Sequence, residues 1–175
     1  MIQTFDTQLE VSLRALRELV APALKNADGH VVEQFNLALV TLEFARQRLP
    51  YARSFHRLEL QHLMAWSSEV QALVGEDHPI LATQLSEAKV AGANELTRPE
   101  AEIEDYLLVG RKLRELIGES IQLSSGKLYE KKLDKLVLLK QKEFLSAQRT
   151  WCLPLGLDSK PDELKTMAEL VESAS

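Results

Sequence analysis

Leu, Ile, Val, Phe and Ala recur every three or four positions over most of the chain, with polar residues between them. That is the helical period, since side chains three and four apart share one face. Over 4–27, Phe5, Leu9, Leu13, Leu16, Val20 and Leu24 form one stripe. Pro22 falls inside it. A proline there removes the bond to the carbonyl four residues back, that of Glu18, so a kink or an early stop is expected. Asn26-Ala27-Asp28-Gly29 then breaks the helix. Over 30–49 there are two stripes: Phe35, Ala38, Leu42, Ala45 and Leu49, and beside it Leu37, Val40 and Phe44. Two apolar sides predict contact on both, and so the most buried helix of the molecule. Pro50 follows, and because proline disfavours helical geometry in the residue before it, a break is expected there rather than a kink.

The third stretch, 51–73, carries Tyr51, Phe55, Leu58, His62 and Ala65 on one face and Leu60, Leu63, Met64, Val70 and Val74 on the adjoining one. Gly75 to Pro79 ends it. A weaker pattern over 79–93 turns Leu81, Leu85 and Ala88 inward and fades into Ala91-Gly92-Ala93. A loop is expected over 94–98, with Pro99 at the first position of the next helix. That helix, 99–123, has the stripe Ile103, Leu107, Gly110, Leu113, Ile117 and Ile121. Glu100, Glu102, Glu104 and Asp105 sit at its start, where carboxylates favour the helix dipole. Ser124-Ser125-Gly126 turns into a helix over 127–151 with Leu128, Leu136, Leu139 and Leu145 inward, and a last short helix is expected over 162–174, with Leu164, Met167, Ala168 and Val171 on one face.

No stretch alternates apolar and polar residues long enough for a strand, and there is no repeat or low-complexity segment. Amphipathic helices joined by short turns pack as antiparallel neighbours. The expected fold is therefore all-α: an up-and-down bundle of four to five long helices plus one or two short ones, in a single domain over 1–175. Composition agrees. The hydrophobic fraction of 45% suits a packed core, and 7 glycines and 6 prolines are few for 175 residues.

Charge narrows the function. The net charge is −5, which argues against a nucleic-acid binder, because phosphate contacts need a broad basic face. Only 127–152 runs the other way, with seven basic residues against three acidic ones. A single cysteine, Cys152, excludes an internal disulfide and any multi-cysteine metal site. The first ten residues hold Asp6 and Glu10 and no basic, apolar leader, and no apolar run approaches a membrane span. A cytoplasmic protein that contacts no membrane is expected.

Four features carry possible chemistry. Glu59-Leu60-Gln61-His62 has the Glu-x-x-His spacing that di-iron carboxylate bundles use to set two ligands on one helix face. A second copy is missing, and no histidine follows His78, so this is half a motif and the preferred reading of His62 is a core-edge side chain. A mononuclear site could recruit Glu43, which lies among apolar residues, but no metal is favoured and no cofactor is predicted. Gly110 sits on an apolar stripe, where a glycine costs about 0.5–1 kcal/mol relative to alanine. Close approach of a neighbouring helix, with Trp66 facing it, is preferred over a ligand there. Lys127, Lys131 and Lys135 stand at successive i, i+4 positions and could hold an anion. The preferred reading is a solvated face pairing with the acidic start of the preceding helix. Cys152, near a helix C-terminus, is read as an incidental thiol.

No nucleophile elbow, phosphate loop or dinucleotide fingerprint occurs. The expected function is non-catalytic: a helical bundle acting through a protein partner or self-association. The alternative is a small-molecule-binding protein or metal-dependent enzyme with its site in the bundle, near Tyr51, Glu59, His62, Trp66 and Gly110.

Overall fold

The computed structural model describes residues 4–172, and among them every regular element is a helix, with no strand. In order come α1 (Phe5–Ala15), a π-helical turn (Leu16–Val20) running into the single turn α2 (Ala21–Ala23), α3 (Gly29–Arg48), α4 (Ala52–Val74), α5 (Pro79–Thr97), α6 (Ile103–Leu123), α7 (Glu130–Cys152) and the short α8 (Met167–Glu172). The chain is an all-α helical bundle, as the periodicity predicts. It divides into two compact units: the described part of Met1–Pro50 with Trp151–Glu163, and Tyr51–Thr150 with the described part of Leu164–Ser175.

In the first unit α1 and α3 pack as a hairpin. Thr4 caps α1, its Oγ1 accepting from the Thr7 N–H at 3.3 Å. Pro22 acts upstream of itself. Its ring has no N–H for the Glu18 carbonyl and crowds that oxygen. The preceding turn widens to the π form, and the Ala21 N–H bonds back to the Leu16 carbonyl. On α3, Phe44 meets the Trp151 ring edge-on at 6.1 Å between centroids. Arg48 lies over the same ring and donates from Nε to the Trp151 carbonyl at 2.6 Å. The 3₁₀ turn Leu153–Leu155 also rests on α3 and ends at Gly156, whose φ of +69° is one that glycine adopts without strain.

The expectation that the 30–49 helix is the most buried is overturned. Arg48 is the only fully buried residue of α3. Leu37 and Val40 are about half exposed. A second apolar stripe is a capacity for contact, and the described residues cover only part of it. Nor does the pre-proline rule hold at Pro50: Leu49 stays in right-handed helical geometry, and the α-helical ladder is interrupted by one 3₁₀ turn, Leu49–Tyr51.

The second unit is built on α4, which holds the largest buried set: Phe55, Leu58, Leu60, Leu63, Trp66, Val70 and Val74. α5 and α6 pack against α4 and against each other, and α8 reaches α4. Leu133 of α7 enters the core, with Val137 and Phe144 packed at its margin. Arg53 and Arg57 of α4 fasten the α5–α6 connection: Arg53 donates to the carbonyls of Pro99 and Ala101, and Arg57 to that of Leu96. These charge-assisted bonds occupy carbonyls at a helix end that would otherwise lack partners.

Several boundaries move. α5 runs on to Thr97 because Ala91-Gly92-Ala93 is a close-packing segment: a Cβ at Gly92 would stand 2.7 Å from Met64 Sδ. Pro99 is not at the start of α6. That start is Glu102, which forms a capping box with Asp105, whose carboxylate accepts from the Glu102 N–H at 2.9 Å. α7 begins at Glu130, three residues later than expected, after Gly126 turns at φ +75°. Leu128, Leu139 and Leu145 then point outward, and of the four predicted inward leucines only Leu136 lies against the core. The last helix shrinks to α8, started by Thr166 and Glu169: the Thr166 N–H donates to Glu169 Oε2 at 2.8 Å and the Glu169 N–H to Thr166 Oγ1 at 3.3 Å. Ala174, included in the expected helix, lies outside the described residues.

Candidate functional site

The polar residues singled out on α4 do meet partners, all within the second unit. Glu59 is buried. His56 Nδ1 lies 2.9 Å from its Oε2, within hydrogen-bond distance. Arg114 of α6 approaches Oε1 at 3.6 Å, too far for a hydrogen bond, with its guanidinium 5.7 Å from the centre of the Phe144 ring. Glu59 and His62 therefore do not act as a pair: Glu59 faces His56 and Arg114, while the His62 ring meets Phe144 edge-on at 6.1 Å. Burial lowers the His62 pKa below its ordinary value. Lys140 pushes the same way, and Glu143 and Glu59 oppose it. Among the described residues no group of three or more His, Cys, Asp or Glu side chains is placed to hold a metal ion.

Gly110 is a packing glycine. A Cβ there would stand 3.3 Å from Leu63 Cδ1, so its neighbour is Leu63 and not Trp66. Trp66 lies instead beside Phe144, with ring centroids 6.5 Å apart. Tyr51 is half-buried in the 3₁₀ turn before α4.

Trp66 and Phe144 belong to a mainly apolar recess, a groove of about 520 Å³ between α6 and α7. Its floor is Leu63 and Trp66, and its walls include Ile117, Gly118, Ile121, Phe144 and Leu145, with Arg114, Gln141 and Gln148 as the polar groups. Gly118 differs from Gly110 and Gly92: a Cβ there meets nothing within 4 Å. It carries the helix-interior cost of a glycine, about 0.5–1 kcal/mol, with no packing reason for it, and leaves the groove wall open. Of this group the sequence reading singled out Trp66 alone. Gly118 was visible as a second mid-helix glycine, and of the α7 lining Leu145 is among the residues expected inward while Gln141, Phe144 and Gln148 are not. A smaller cavity of about 30 Å³ lies beside His62, Trp66, Lys140 and Phe144.

The lysine stripe is not continuous. Lys127 precedes α7 and pairs with Asp77 at 3.5 Å, while Lys131 and Lys135 are exposed on α7. The acidic start of α6 does not serve them: Glu104 pairs with Arg111, and Asp105 with Arg98.

In the first unit Glu43 is bound by its own neighbours. Its carboxylate accepts from Gln47 at 2.9 Å, from Arg46 at 3.1 Å and from Arg17 at 3.1 Å. The Gln47 bond, with help from both arginines, lowers its pKa against the cost of burial. It is a structural carboxylate in an ionic cluster and not an isolated group among apolar ones. Cys152 is exposed at the end of α7. No helix among the described residues is long and apolar enough to cross a membrane. No known protein family, curated protein or solved structure matches the chain.

Proposed function

We propose that this chain is a non-catalytic helical protein of the cytoplasm that works through protein–protein contacts made by the α1–α3 hairpin, with a second copy of itself as the partner to test first. One observation carries the reading. Leu13 is the only fully buried apolar residue described in the first unit, while Phe5, Val11, Leu19, Leu37, Val40 and Leu49 each remain at least 47% exposed. Single exposed apolar side chains are ordinary, but several on one small hairpin form the kind of surface that partners cover. An amphipathic helix laid along such a face is a common recognition mode.

The ionic cluster of Arg17, Glu43, Arg46 and Asp6 fits the same reading, because it fixes the hairpin register without using its apolar surface. The test is light scattering on the purified chain across concentration, beside the double variant Leu37→Glu, Val40→Glu. Both side chains already face solvent, so the variant keeps the wild-type helical circular dichroism. The expected result is a wild-type assembly that the variant loses. A wild-type chain that stays monomeric and retains no partner from cell extract counts against the reading.

A further inference from the structure

We propose that the groove between α6 and α7 is a binding site for a small apolar carboxylate, a ligand with an alkyl or aryl body and one terminal acid. This goes beyond the contact surface of the hairpin and does not depend on it.

Three observations converge. The groove has the volume of a small-molecule site, about 520 Å³ against the roughly 300–1,000 Å³ such sites span, and its lining is mainly apolar: Leu63, Trp66, Ile117, Ile121, Phe144 and Leu145. Its wall is kept open at Gly118, in the middle of a helix, where any larger side chain would project into empty space. And it holds one cation, ion-paired with the Glu59 carboxylate at 3.6 Å but without a hydrogen bond to it. Arg114 is part of the lining. Its contact with Glu59 is longer than a hydrogen bond, and the second oxygen of Glu59 is occupied by His56. The planar guanidinium, lying near the Phe144 ring, offers the paired N–H geometry that receives a carboxylate in two parallel bonds. Gln141 and Gln148 add neutral amides on the α7 side. An alkyl or aryl body would lie against Trp66 and Phe144, with Gly118 giving it room and Arg114 taking the acid.

The probes are dodecanoate and the uncharged dodecanol, titrated into the full-length chain while the fluorescence of Trp66 is followed. Trp151→Phe makes Trp66 the only reporter, since the chain has two tryptophans. Saturable quenching by dodecanoate is expected. Gly118→Leu, which fills the groove, weakens it at least tenfold while the thermal midpoint holds or rises. Arg114→Gln weakens dodecanoate at least tenfold and leaves dodecanol unchanged. Should Gly118→Leu fold poorly, Gly118→Ala and Ile121→Gln ask the same question. Absence of saturable quenching, or quenching that groove-filling variants leave intact, overturns the site. Equal binding of acid and alcohol overturns the assignment of a carboxylate.

Discussion

Three glycines on neighbouring helix faces behave differently, and the difference is what a methyl group would meet. Gly92 and Gly110 are pressed by Met64 and Leu63, whereas Gly118 faces open space. Gly118→Ala should therefore stabilise the protein by about 0.5–1 kcal/mol in urea unfolding, because only the propensity gain remains. Gly110→Leu should destabilise it by about 1–3 kcal/mol, since Leu63 is fully buried and cannot yield without disturbing its neighbours. The sequence showed that a mid-helix glycine needs a reason, but not which reason, because that depends on the helix lying across it. His62 gives a pH prediction. Its folded pKa is lowered chiefly by burial, from an ordinary value of 6.5. The unfolded chain thus takes up a proton first as pH falls, so stability is full above pH 6.5 and declines below it until the folded form also protonates. Across unfolding curves from pH 7.5 to 5, His62→Gln should lose less stability than wild type.

Helices were legible as elements wherever apolar residues kept a strict three-to-four period, as over α4 and α6. Their ends were less so, because ends are set by single side-chain bonds. Asp105 of the α6 capping box is such a bond, and the Thr166-x-x-Glu169 box that starts α8 is another that was readable as a pattern. Asp105→Ala should cost about 1 kcal/mol in thermal or urea unfolding, with faster amide exchange confined to the first turn of α6. Inward registers failed where a helix had more apolar residues than its contacts needed. On α7 and in the turn before it, Leu128, Leu139 and Leu145 are as apolar as Leu133, Val137 and Phe144, which take the core positions. Leu133 is fully buried, and Val137 and Phe144 pack against the core. Pro22 shows the opposite case: the disturbance was foreseen, and its form, a π turn one step upstream, follows from where the ring would strike the Glu18 carbonyl.

At the scale of the whole molecule the contrast lies within the two units taken singly. The second has a core of large buried side chains reaching from Leu60 to Leu133, while the first fully buries only Leu13 among its described apolar side chains and leaves the rest partly buried or exposed. Local stability follows buried apolar contact, so α3 should open far more readily than α4 unless something covers it. That leads to the hairpin as a contact surface. Hydrogen–deuterium exchange of the wild-type chain, read on α3 and α4 in dilute and in concentrated solution, tests this directly. The expected result is that α3 exchanges quickly when dilute and becomes protected as chains associate, while α4 stays protected throughout. An α3 as slow to exchange as α4 in the dilute monomer would contradict it.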